Sequence, residues 1–282
     1  MAFDLASITQ EVAIKAPRIA LLGKEKVGKT GFACGARYDE DGTLVAAGLN
    51  DPIVIVVKGE EGADAFGVPC FPTCQTYDNI IEAIGTLYTE PHEYRTVVLD
   101  SASTGHLLVN DSVCKDFDVT NVRKVPGFRT GEAAVLNKWR GILDGLDALR
   151  EKRGMASIVI GHVHLGKEKN EEGDDYAKSD FDLDSDIAEL IKRWADSILY
   201  ARRAKVQIKK TGEDTKFSTA KRIGIDPGGE RFLCTQYRPY HPGGGRGVYG
   251  QLPYELPLDW TAFENAVAEA AAVQSEAMAQ SE

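Results

Sequence analysis

Gly23-Lys24-Glu25-Lys26-Val27-Gly28-Lys29-Thr30 meets the pattern G-x-x-x-x-G-K-[ST] at every fixed position, and Gly31 follows it. Glycines at 23 and 28 let backbone N–H groups turn inward around a polyphosphate, and a helix N-terminus just beyond adds a favourable dipole. In that pattern Lys29 reaches the β- and γ-phosphates, and the Thr30 hydroxyl ligates a metal. The predicted ligands are therefore ATP, held by residues 23–31, and Mg2+. A second feature is Thr96-Val97-Val98-Leu99-Asp100-Ser101, an apolar run ending in a carboxylate. An Asp so placed completes the Mg2+ shell through water. Glu60, with Glu61 beside it, could orient and deprotonate an attacking water. His162 stands just past another apolar run, where it could sense the γ-phosphate and pass a signal to the segment that follows. His164, two residues on, would share its side of a strand, a spacing open to zinc but with no third ligand in view.

These groups must be held by elements that the hydrophobic pattern outlines. Residues 18–22, 53–57, 96–99, 156–160 and 197–201 are short β-branched or apolar runs of the kind buried on both faces of a sheet. Helical spacing lies between them: a helix capped by Asp78, one over about His106–Phe117, a long one over about Glu132–Lys152, and a short one around Ile187–Trp194. Alternating strands and helices predict an α/β fold with a mainly parallel sheet covered by helices on both faces. Residues 118–131 read as a loop from their Pro, Gly and Thr content, and the acid-rich stretch 166–186 as a long flexible one. A basic stretch, 202–222, reads as a hairpin around Thr211–Asp214. The C-terminal part is rich in Pro and Gly and then closes on an Ala/Glu helix or tail. The division expected is an N-terminal segment 1–17, an ATPase domain 18–260 and a C-terminal helix or tail 261–282.

Composition narrows the class. No run of about 18 apolar residues exists, which excludes a membrane-spanning helix. The N-terminus carries acids and lacks the apolar core of a secretory signal, so a cytoplasmic protein is expected. The five cysteines are odd in number and scattered, and read as reduced thiols; Cys70 and Cys74 have no second pair at zinc-finger spacing. A net charge of −10 argues against a protein coated in nucleic acid but leaves room for a local basic groove.

The order of Glu60, Asp100-Ser101 and His162 resembles the RecA-like core of P-loop NTPases; the usual sensor there is Gln, so His162 departs from the pattern. More closely, the strings VVLDSAST, LDALREKRGMASIVIGHVH, IKRWADSILYARR and RGVYGQLPYELPLDW resemble phage-encoded AAA-type nucleotide-binding proteins that include the RecA-like single-strand annealing proteins of the Sak group. That resemblance spans about residues 17–265. It implies an ATPase that binds and anneals single-stranded DNA in phage recombination in the host cytoplasm. It also implies a homo-oligomer, ring or filament, with ATP at subunit junctions and a single-strand-binding protein as helper. The DNA segments implied by order are 118–131, with Arg123, Lys124, Phe128 and Arg129, and 165–185, whose acidity departs from the pattern. From Arg202 to Arg222 eight basic residues, among them Arg203, Lys209 and Lys210, face only two acids, a plausible phosphate footprint. Lys209 or Lys210 could also reach a neighbouring subunit's γ-phosphate. Lys24 falls where MinD-like partition ATPases carry a trans-acting lysine, but Glu25 and Lys26 replace their glycine pair and the match reads as coincidence. A different class stays open: a nucleotide-dependent switch or loader that recruits a phage replication partner.

Overall fold

A computed structural model describes residues 15–170, 173–204, 207–211, 221–225 and 229–279. β1 (Arg18–Gly23) leads through the glycine loop into α1 (Lys29–Ala33). A small hairpin, β2 (Arg37–Tyr38) with β3 (Leu44–Ala46), precedes β4 (Pro52–Val56). Next come α2 (Tyr77–Thr89), β5 (Thr96–Asp100), α3 (Ala102–Asp116), α4 (Thr130–Arg153) and β6 (Ala156–Gly161). They are followed by β7 (Val163–Glu168), β8 (Tyr176–Phe181), α5 (Ser185–Trp194) and β9 (Ser197–Arg203). The last elements are β10 (Gln207–Thr211), β11 (Lys221–Ile225), β12 (Arg231–Cys234), β13 (Gly244–Gly245), β14 (Glu255–Pro257) and α6 (Trp260–Ala279).

The main sheet runs β14-β12-β9-β1-β6-β5-β4, with β13 also paired to β9. The five strands β9, β1, β6, β5 and β4 are parallel, and β12, β13 and β14 extend the sheet in antiparallel pairs at β9. The expected α/β architecture with a mainly parallel sheet is therefore present, and β10 with β11 forms the expected hairpin off the sheet. Because β6 lies between β1 and β5, the turns after all three open side by side at the carboxyl edge, where open α/β sheets bind ligands.

Alternation along each strand explains the two cores. Ala20, Leu22, Val97, Leu99 and Val159 face the helices α2 to α5, packing with Ile84, Val109, Trp139, Leu146 and Ile191. Ile19, Leu21, Val54, Val98, Ile158 and Ile160 face the other way, against Phe32 of α1 and Trp260 and Phe263 of α6. The outer edge of β4 is covered by the segment 69–74: Phe71 N–H donates to the Val54 carbonyl at 2.9 Å and Cys74 N–H to that of Val56 at 2.8 Å. Cys70 and Cys74 belong to this edge, and all five cysteines are free thiols.

Several expectations are corrected. The cap of α2 is Thr76, whose Oγ1 accepts the Asn79 N–H at 3.3 Å, and Asp78 sits within the first turn instead. α3 starts earlier than expected because Ser101 caps it. The acid-rich stretch 166–186 is not one long loop: β7 and β8 pair from Val163↔Phe181 to Glu168↔Tyr176, and α5 follows. The ribbon is mostly solvated and shows little apolar alternation; only Ser179 and Phe181 turn fully inward. Arg202 and Arg203 extend β9, so the basic hairpin begins only at Gln207. Its expected turn, around Thr211–Asp214, lies largely outside the described residues, as do the side chains of Lys209 and Lys210. The antiparallel strands β12, β13 and β14 arise from a Pro/Gly-rich stretch with too little periodicity to announce them.

Candidate active site

The glycine loop is shaped by close approaches that exclude side chains. A Cβ on Gly23 would lie 2.6 Å from the Ala201 carbonyl of β9, and Gly28 sits at φ 110°, a conformation costly to any other residue. The loop thus presents its backbone, a cradle suited to a polyphosphate. Lys29, the first residue of α1, is 6% exposed, and its Nζ donates to the carbonyls of Gly23 at 2.8 Å and Lys24 at 2.9 Å. Burial lowers its pKa, against the pull of Asp100, Glu25 and Glu60. The Lys24 side chain is exposed.

Opposite the loop, β5 delivers Asp100, 3% exposed, and Thr30 Oγ1 donates to its Oδ2 at 2.7 Å. Burial pushes the Asp100 carboxyl up to about 6, with Glu60 adding to the rise and Thr30 and Lys29 opposing it. A buried carboxylate beside a hydroxyl is a hard oxygen donor pair, and it fits Mg2+. Among the described residues no group of three or more His, Cys, Asp or Glu is placed to hold a metal ion.

Glu60 stands next to this pair. Its Oε1 accepts from Ser101 Oγ at 2.7 Å, His162 Nε2 at 2.8 Å and Thr104 Oγ1 at 3.5 Å, while no described residue hydrogen-bonds its Oε2. Burial works to raise its pKa, but the hydrogen bonds from His162 and Ser101 outweigh it and hold the carboxyl below its usual range. Glu61 is exposed and only precedes a 3-10 turn at Gly62–Phe66. His162 is itself fixed: its backbone N–H donates to Ser103 Oγ at 3.0 Å, and its Nδ1 is buried 3.9 Å from Glu25 Oε1. With Nε2 committed to Glu60, and His164 half-exposed 4.0 Å from Asp182, the two histidines make no zinc pair. The hairpin after His162 is anchored by Phe181, whose ring fills the space a side chain on Gly161 would need.

The AAA domain family matches residues 15–247 of the chain. The chain belongs to that family. No curated protein matches it. Membership in the AAA domain family carries with it nucleotide-dependent activity of the ATPase kind, for which Mg2+ is the usual companion. Within this AAA domain the loop residues 23–31, Asp100, Glu60 and His162 converge, and of the DNA-contact candidates whose side chains are described Arg203 alone hydrogen-bonds the glycine loop. Arg123 and Lys124 are exposed on a 3-10 turn, Phe128 is 95% exposed, and Arg129 pairs with Asp186 at 2.5 Å. Arg202 is tied to Glu255 and stacks on Phe232, so its charge is matched within the sheet. Arg203 instead reaches the glycine loop, donating to the Lys26 carbonyl at 3.2 Å. Sequence reasoning missed Ser103, Thr104, Tyr38 and Arg231 at this edge. The first two follow Asp100 closely enough to be suspected, but nothing in the sequence marks the others. No helix is long and apolar enough to cross a membrane among the described residues.

Proposed function

We propose that this AAA-domain protein binds and hydrolyses Mg-ATP and uses that cycle to bind single-stranded DNA and anneal strands. The observation that carries the hydrolytic part is the hydrogen bonding of Glu60, which fixes one carboxylate oxygen and leaves the other for water. Bound Mg2+ would be held by Thr30 and, through water, by Asp100, and supplies Lewis-acid polarisation of the phosphoryl oxygens. Lys29 offsets charge on the β- and γ-phosphates, and loop N–H groups orient the chain of phosphates. Glu60, held below its usual pKa, is a weak base; it acts first by orienting the water and takes the proton as the water's acidity rises during attack. His162 holds Glu60 and connects it to β7, so whatever displaces Glu60 is felt by the hairpin β7–β8.

For DNA the support is a single loop that combines exposed cations, Arg123 and Lys124, with the exposed ring of Phe128, suited to phosphate contact and base stacking. Arg203, with Lys209 and Lys210 close behind it in the sequence, extends the proposal beyond that loop, and Arg202, already paired, contributes little to it. The proposal includes a homo-oligomer, a ring or filament, working with a single-strand-binding protein in a phage-infected cytoplasm. A second reading, a nucleotide-dependent switch or loader for a replication partner, is favoured by the β7–β8 hairpin, where Lys167 pairs with Asp175 and Lys178 with Glu168, so that its cations are already matched and offer little to phosphate. ATP hydrolysis measured with and without single-stranded DNA separates the two, with Lys29→Ala as the blank. Several-fold stimulation abolished in the variant supports annealing. Hydrolysis indifferent to DNA supports the switch.

A further inference from the structure

On the flank of the glycine loop away from Asp100 and Glu60, a cleft of about 500 Å3 opens between β2, β12 and the start of α6. Its inner wall is Tyr38, Arg231 and Leu258. The Arg231 guanidinium lies 4.7 Å from the centroid of the Tyr38 ring, its Nη1 stands 2.8 Å from where a Cβ on Gly28 would lie, and Leu258 Cδ2 stands 3.2 Å from the same point. The Tyr38 hydroxyl in turn crowds the α-carbon of Gly31. All three side chains therefore meet the second half of the glycine loop and the first turn of α1. Among the described residues no carboxylate lies within ion-pair distance of Arg231. Tyr38 is fixed from behind, where its backbone N–H donates to Asp259 Oδ2 at 2.9 Å.

We infer that this cleft receives the nucleobase and ribose of the triphosphate, with the base stacking on the Arg231–Tyr38 pair. A triphosphate whose γ-end lies at Glu60 and Asp100 must leave the loop on the opposite flank, which is where the cleft opens. A guanidinium already stacked on one ring offers a planar face to a second, and such stacking tolerates any base. The cleft is also lined by Asp39, Glu40, Asp41, Glu230 and Asp259, the last already accepting the backbone N–H groups of Tyr38 and Ala262; these carboxylates disfavour a further phosphate and suit a neutral base and ribose hydroxyls. The size matches pockets that take small ligands. This inference rests on the ATP-binding reading of the glycine loop.

Binding of ATP and of inorganic tripolyphosphate, both with Mg2+, to the full chain by calorimetry tests both ideas and keeps them apart. Arg231→Ala and Tyr38→Ala are expected to weaken ATP about 10-fold or more while leaving tripolyphosphate within about 2-fold. Tyr38→Phe should bind ATP as wild type does, and Arg231→Lys should resemble Arg231→Ala, because charge survives but the plane is lost. These milder changes keep the test open if an alanine variant does not fold. Wild-type affinity for ATP in Arg231→Lys and Tyr38→Ala, or an equal loss of both ligands, would overturn the base platform and leave the phosphate loop standing. If wild type binds neither ligand, the phosphate-loop reading itself fails.

Discussion

Glu60 gathers its hydrogen bonds on a single oxygen, so its substitution separates binding from chemistry. Glu60→Gln keeps the shape and most contacts but removes the proposed proton acceptor. Single-turnover hydrolysis should fall by about 10²- to 10⁴-fold, the range of general-base catalysis, with ATP affinity nearly unchanged. In the proposed mechanism His162 acts through Glu60, which it hydrogen-bonds at 2.8 Å, as a positioning residue. His162→Ala should slow hydrolysis by between about 10- and 100-fold, the scale of a misplaced catalytic group. The Glu60→Gln/His162→Ala pair should be no slower than Glu60→Gln alone, since residues in one network do not add. A fully additive double variant would mean that His162 works independently.

At the scale of elements, two joints hold the site edge and its opposite end. Gly161 ends β6 against the Phe181 ring, so Gly161→Ala must displace β8 or the ring. Overpacking of this kind costs about 1–3 kcal/mol, measurable by urea unfolding, and should also slow hydrolysis by shifting the adjacent His162. At the other end of the strands, Asp196 accepts from Arg18 Nη2 at 2.8 Å and pairs with Arg150 Nη2 at 3.0 Å, joining the starts of β1 and β9 to the end of α4. Burial works to raise its carboxyl pKa, but Arg18 and Arg150 outweigh it and hold it below the usual value. A depressed folded pKa means that this stability is complete above the unfolded value, about 3.9, and lost as pH falls through the folded one. Asp196→Asn should cost about 3 kcal/mol at neutral pH by stranding the arginines. The gap to wild type should narrow below about pH 4, and an unchanged gap there would assign the cost to packing instead.

Over the whole molecule, the final helix and the phosphate loop share one core. α1 has only five residues, and its Phe32 is covered by Trp260 at 5.4 Å and Phe263 at 5.5 Å between ring centroids. The Trp260 backbone N–H also donates to the Ala36 carbonyl at 3.1 Å, a bond that fixes the start of α6 and survives replacement of the side chain. Trp260→Ala should destabilise the fold by about 3–5 kcal/mol and weaken ATP binding as well, because so short a helix depends on its cover. Thermal melts with and without Mg-ATP would check this, the variant gaining less from the ligand than wild type. If the charged surfaces bind DNA on a chain of net charge −10, binding should be local and should weaken steeply as salt rises.

What the sequence determined by itself was the phosphate loop, the carboxylate at the end of β5 and the parallel core, because each depends on local pattern: fixed glycine spacing, a lysine–threonine pair, and β-branched runs of strand length. Those features need only a few consecutive residues to be read. The contacts that set Glu60 apart from Glu61 were left to the tertiary structure, since adjacent acids look alike until one meets Ser101 and His162 from two other strand ends. So was the hairpin β7–β8, whose mostly solvated strands carry too little apolar alternation to show in the sequence. The approach of Arg231 and Tyr38 to Gly28 and Gly31 joins residues almost 200 positions apart, through an antiparallel strand that no periodicity announced. Side-chain chemistry is local and legible; which side chains meet is set by strand order, and strand order is a property of the packed whole.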